Sequence, residues 1–299
     1  MSFVRSFSDA AIEQLQQEAL FMHKLRTDIV TGSARQRQKE HSVVFPAVRD
    51  GRIDFYWAGG KLFSYVPGTG FSTHHKYASV LTGHNGDYVA ESSLKNGKAR
   101  LIEDFYEGYD RIKENCELYS GLEALGVSSL YERFSCSRKD APAVVVLDIE
   151  ASFAKGESKE KDRIDMVCLD TKNGILRFFE AKHYSNNASL RTSGKKPPVV
   201  SQMKRYTDQI KERQEEILDG YKAQVRIINA LFDLSIPEPI TVAPEPALLI
   251  FGFDNEQRSY LKDKIAPRLE EAELRFYEIG EIKKADLAVV FRGGKKNWV

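Results

Sequence analysis

RIDMVCLDTKNGILRFFEAKHY, residues 163–184, decides how the chain is read. Two runs rich in apolar residues flank Asn173 and Gly174, a pair that favours the positive φ of a tight turn. Two antiparallel strands are therefore expected. Side chains alternate between the faces of a strand, so Arg163, Asp165 and Val167 share one face. On the next strand Phe178, Glu180 and Lys182 do the same, with Glu180 and Lys182 roughly 7 Å apart along it. Ionisable groups are costly in such company. Two carboxylates about 4 Å apart repel by around 4 kcal/mol at an effective dielectric of 20, and desolvation adds several kcal/mol per ion. A divalent cation turns the repulsion into binding, because a few hard oxygen donors plus waters are what Mg²⁺ accepts. Lys182 is then placed to hold an attacking water or to offset charge developing on a phosphate. Taken alone, the E-x-K spacing equally describes a solvated surface pair worth under about 1 kcal/mol. The aspartate on the preceding strand, the apolar neighbours and the helix that follows favour a site.

Outward from this hairpin the pattern continues. AVVVLDIEASF, residues 143–153, is a third strand, on which Asp148 and Glu150 share a face with Val144 and Val146. After the hairpin come a basic loop, a long helix over about 199–232 and the strand PALLIFGFD. A helix over about 255–272 and the strand LRFYEIG follow, with ADLAVVF as one more strand or a buried tail. Three hairpin-like strands followed by helix, strand, helix and strand imply a mixed sheet with helices on its faces.

The order of Asp165 and then Glu180-Ala181-Lys182 across a hairpin resembles the PD-(D/E)XK nuclease superfamily, with fourteen residues between the two acids. Gln202 and Tyr206, on the helix after the E-x-K strand, resemble the Q-x-x-x-Y motif of its RecB-like branch. The resemblance covers roughly residues 142–285. It implies a restriction-endonuclease-like mixed β-sheet core flanked by helices and an Mg²⁺- or Mn²⁺-dependent nuclease, with DNA as the leading substrate. Asp165 and Glu180 are then metal ligands, as is the backbone carbonyl of Ala181. Glu150 is the candidate for an additional upstream acid. Asp148 is its rival on the same face, and pairing of Glu150 with Arg163 or Lys182 is the alternative. By the same resemblance Lys182 assists the water nucleophile, Gln202 hydrogen-bonds beside the metal or phosphate, and Tyr206 contacts the nucleic-acid backbone. A prokaryotic or phage defence, restriction or repair role follows by analogy.

The segment 191–205 carries five basic residues and no acid. Arg191, Lys195, Lys196, Lys204 and Arg205 are candidate phosphate contacts, of the kind that add salt-dependent affinity rather than base reading. A solvated basic loop is the plain alternative. The tail RGGKKN, residues 292–297, is a weaker stretch of the same sort.

Composition shifts at residues 135–142, which divides the chain into an α+β N-terminal domain, 1–140, and a nuclease-like domain, 141–299. In the first, residues 8–30 read as a helix capped by Ser8, with Ile12, Leu15, Ala19, Leu20 and His23 near one face. Residues 42–73 read as an antiparallel meander turning at RDGR and AGGK. HHKYASVLTG suits a short helix, and 102–120 a further one with Phe105, Tyr109, Ile112 and Cys116 on one face. Phe55, Trp57 and Phe63 are expected to fill a core, although Tyr and Trp beside the basic stretch GSARQRQKEH also suit base stacking. This domain is expected to select substrate or bind a partner, with a homodimer as one form of that.

The 299 residues are 42% hydrophobic and 29% charged, which suits a globular protein with a proper core. A formal net charge of +1 leaves nucleic-acid binding to local charge. The three cysteines, Cys116, Cys136 and Cys168, form no CxxC pair, against a disulfide framework or zinc knuckle and in keeping with a reducing, cytoplasmic location. No stretch has the length of a membrane span or the core of a signal peptide. A binding or assembly protein that does no chemistry on the same scaffold is the competing class.

Overall fold

The computed structural model describes residues 3–30, 43–80, 88–96, 101–137, 142–153, 163–191 and 196–292. The protein is mixed α/β, with two sheets among the described residues. It divides into two units: Val4–Asp140 with Ala223–Ile236, and Met1–Phe3 with Ala141–Lys222 and Pro237–Val299.

In the first unit Ser8 caps α1 (Asp9–Gln17), its hydroxyl accepting the Ala11 N–H. The single helix expected over 8–30 breaks at Glu18, whose ψ of 52° is not helical, and restarts as α2 (Ala19–Val30). The break resets the phase, so the apolar face becomes Phe21, Met22, Leu25 and Ile29, while His23 is exposed. The meander is present as β1 (Phe45–Arg49), β2 (Arg52–Trp57), β3 (Gly60–Val66) and β4 (Gly70–His74). After α3 (His75–Ala78) comes β5 (Tyr88–Ala90), which completes a five-stranded antiparallel sheet in sequential order. Gly51 and Gly59 take the positive φ that its first two turns require. Phe55, Trp57 and Phe63 are core residues. α4 (Tyr109–Leu118) starts later than expected. α5 (Leu122–Phe134), which apolar periodicity alone does not announce, follows it. GSARQRQKEH lies outside the described residues.

The second unit is built on β6 (Val144–Ser152), β7 (Arg163–Asp170) and β8 (Ile175–His183), the three strands of the sequence reading. β6–β7 and β7–β8 are antiparallel. Gly174 takes φ +66° in the turn before β8. The long helix is two: α6 (Pro198–Glu212) and α7 (Gln214–Phe232), parted where Arg213 leaves helical geometry. β9 (Thr241–Val242) pairs briefly with β8. β10 (Ala247–Phe251) then joins β8 in parallel, and β11 (Phe276–Ile279) joins β10 in parallel. The main order is β11-β10-β8-β7-β6, a mixed sheet with the hairpin pair at its centre. Between β10 and β11 run α8 (Asn255–Tyr260), started by an Asp254–Gln257 capping box, a π turn (Leu261–Ile265) and α9 (Ala266–Glu271). ADLAVVF is not a strand, and it is buried as a helix. It holds α10 (Leu287–Arg292), which buries Leu287, Val290 and Phe291 at helical spacing. No described helix is long and apolar enough to cross a membrane.

Candidate active site

The β7–β8 register pairs Val167 with Phe178 and Met166 with Phe179. Directly opposed residues of an antiparallel pair share a face, so Asp165 falls on the face of Glu180 and Lys182. One step beyond the last ladder pair, the Asp165 carboxylate replaces the backbone as acceptor: the Ala181 N–H donates to its Oδ2 at 2.7 Å. A strand residue turns its N–H and C=O to the same neighbour. The Ala181 carbonyl is therefore also directed to the side on which β7 carries Asp165.

Glu180 and Lys182 form an ion pair, Nζ to Oε1 at 2.7 Å, although the residues are only 1% and 8% exposed. Gln202, from α6, donates its amide Nε2 to the same Oε1 at 2.8 Å and to the Tyr206 hydroxyl at 2.9 Å. Tyr206, one turn on, donates its hydroxyl to the Arg163 carbonyl. A chain of polar contacts thus ties Lys182, Glu180, α6 and the start of β7. It brings together Asp165, Glu180, Lys182, Gln202 and Tyr206.

Two of the motif candidates, Tyr206 and Glu150, are held by other partners. Tyr206 is buried and spent on the Arg163 carbonyl, so it braces β7 rather than facing a nucleic-acid backbone. Glu150 stands across from Asp165 in the register that runs through Ile149↔Met166 and Ala151↔Ile164. Yet its carboxylate is drawn to Arg163, Oε2 to Nη1 at 3.2 Å, which is the alternative pairing foreseen for it. Asp148, its rival, is fully buried and accepts hydrogen bonds from the Tyr221 hydroxyl at 3.1 Å and the Ile149 N–H at 2.9 Å. A register shift between Val146 and Asp148 sets both acids in their present places. Alternation along a strand cannot foresee it.

The electrostatics are unbalanced. Burial, and then the Glu180 carboxylate, hold the Asp165 carboxyl well above the usual carboxylate range. Lys182 and the Ala181 N–H pull the other way, and Glu150 adds to the upward push. Among the described residues no three or more His, Cys, Asp or Glu side chains come together as a metal-holding group. The donors at hand are the Asp165 and Glu180 carboxylates and the Ala181 carbonyl. One or two carboxylates completed by waters and substrate oxygens are an ordinary Mg²⁺ donor set, so these residues fit the ion.

Of the basic candidates, Arg191 is exposed, its guanidinium over the rings of Tyr184 at 4.9 Å and Tyr260 at 5.4 Å. Lys196, Lys204 and Arg205 are exposed. On α6 Arg205 is three residues from Gln202 and flanks it, whereas Lys204 projects about 200° around the helix from it. Lys195 and residues 293–297 of the basic tail lie outside the described residues. Arg163 was not among the candidates. Its place on the Asp165 face was the signal that could have found it. No protein-family model, no curated protein and no solved structure matches the chain.

Proposed function

We propose that the chain is a metal-dependent nuclease, a hydrolase of phosphodiester bonds in nucleic acid, with DNA as its leading substrate and a restriction-endonuclease-like core in its second unit. The observation that carries this reading is the convergence of Asp165, Glu180, Lys182 and Gln202 from two neighbouring strands and the following helix. Asp165, Glu180 and the Ala181 carbonyl would hold Mg²⁺ or Mn²⁺. A bound ion of this kind supplies Lewis-acid polarisation of a phosphoryl oxygen and lowers the pKa of water. The protein's own part is positional. Lys182 sets a positive charge beside Glu180, where it can orient water and oppose charge growing on phosphate oxygens. Gln202 fixes the Glu180 carboxylate, and Tyr206 anchors Gln202 to β7. Arg191, Lys196 and Arg205 are the exposed cations proposed to meet the phosphate backbone.

A second reading, a nucleic-acid-binding protein without chemistry, is favoured by one feature. Lys182 and Gln202 already occupy Glu180 Oε1, and no third side-chain ligand joins the pair among the described residues. Cleavage of plasmid and oligonucleotide DNA in Mg²⁺ or Mn²⁺, against EDTA, separates the two. Hydrolysis should require metal and fall by about 10²–10³-fold in Lys182→Met, the usual effect of removing one transition-state charge partner. Tight DNA binding with no cleavage in either metal would establish the second reading instead.

A further inference from the structure

We propose that Arg163 is a phosphate-binding residue that, on meeting substrate, releases Glu150 to the Asp165–Glu180 pair. The proposal rests on the nuclease reading and adds to it the means by which substrate completes the site.

Glu150 is a non-glycine residue at φ +51°. L residues adopt that conformation rarely, and such strain collects at functional sites. The register on either side puts Glu150 opposite Asp165, where its charge already bears on that carboxyl. Its Oε2 is nonetheless held 3.2 Å from Arg163 Nη1.

Arg163 is suited to letting go. Its carbonyl is fastened by Tyr206, so the backbone is anchored, while its side chain is 61% exposed against 35% for Glu150. It shares the face of Asp165, two residues along the strand. An ion pair so exposed is weak, because water screens it and two side chains must be ordered to make it. A phosphodiester offers the same guanidinium two parallel charge-assisted bonds and matches its planar fork. A backbone phosphate entering beside Asp165 therefore outcompetes Glu150 for Arg163. Glu150, once released, stands across from Asp165, where a cation held by Asp165 and Glu180 would meet it. The third carboxylate joins only when substrate is present.

The test titrates Mn²⁺ calorimetrically into the full chain without nucleic acid, using wild type, Arg163→Ala, Glu150→Gln and the double variant. Arg163→Ala frees Glu150 and should tighten Mn²⁺ binding by up to about fivefold, the worth of an exposed ion pair. In the Glu150→Gln background the same substitution should change nothing. A gain of equal size in both backgrounds would be a bulk charge effect and would overturn the exchange. In EDTA, oligodeoxynucleotide binding by Arg163→Ala should lose about 0.7–0.9 from the slope of log affinity against log salt. An unchanged slope would also overturn it. Wild type that binds both Mn²⁺ and DNA, beside an Arg163→Ala that alters neither, sinks the exchange and leaves the nuclease reading standing. Wild type that binds neither removes the nuclease reading and the exchange together.

Discussion

Each unit of this protein buries a lysine against a carboxylate, and the two clusters differ in their balance of charge. In the first, Lys113 Nζ meets Asp28 Oδ2 at 2.9 Å, and the Tyr109 hydroxyl donates to the same oxygen at 2.9 Å. The ammonium also lies over the rings of Trp57 and Tyr109, at 4.7 and 4.5 Å. A second acid, Asp110, reaches the ammonium from an exposed position. One buried cation answers one buried anion. In the second, Lys182 faces two carboxylates, Asp165 and Glu180, with Glu150 at the edge. The first cluster has no use for another ion. Among the described residues the second holds more carboxylates than cations.

Breaking the balanced cluster should cost the most. Lys113→Met strands the Asp28 charge and is expected to destabilise the protein by about 3–5 kcal/mol in urea unfolding. Lys182→Met should cost clearly less, because Gln202 remains on Glu180 and the carboxyl pair can take up a proton. Equal losses would erase the distinction between the clusters.

Next in size is the strain of the surplus acid. A carboxyl whose folded pKa is raised contributes stability at low pH and loses it as pH rises through the folded value. Asp165→Asn should therefore stabilise the metal-free protein near neutral pH, by about 0.5–2 kcal/mol. The advantage should shrink as pH falls through the raised folded value and vanish well below about 3.9, where aspartate is protonated in either state. Urea unfolding in EDTA at several pH values measures it. By the same linkage, Mn²⁺ affinity of the wild type should climb with pH, since Asp165 must give up its proton to bind the ion. A flat profile would place the surplus charge elsewhere.

The smallest effect concerns the brace. Tyr206→Phe removes the hydroxyl between Gln202 and the Arg163 carbonyl and should cost about 0.5–1.5 kcal/mol, the usual net worth of a hydrogen bond. The loss should appear in stability and metal affinity while the salt dependence of DNA binding stays unchanged. A reduced salt slope would instead restore a direct contact of Tyr206 with the phosphate backbone.

The residues of the site were legible before their arrangement was. Strand alternation put Asp165, Glu180 and Lys182 on one face, and helical spacing put Gln202 beside Tyr206, because both periods follow from backbone geometry that every residue obeys. The breaks at Glu18 and Arg213 were not legible, since each interrupts a run whose composition continues to suit a helix. ADLAVVF was ambiguous for a related reason: a short apolar run is compatible with strand or helix until its neighbours are known.

By itself, then, the chain's order of residues determined the hairpin, the mixed α/β character and the set of ionisable groups on one strand face. The tertiary structure decided which partner each group took: Asp148 inward to Tyr221, Glu150 outward to Arg163, Tyr206 back onto β7. The physical reason is range. Strand and helix periods are local properties, whereas a carboxylate's partner depends on burial, a register shift and charges far away along the chain.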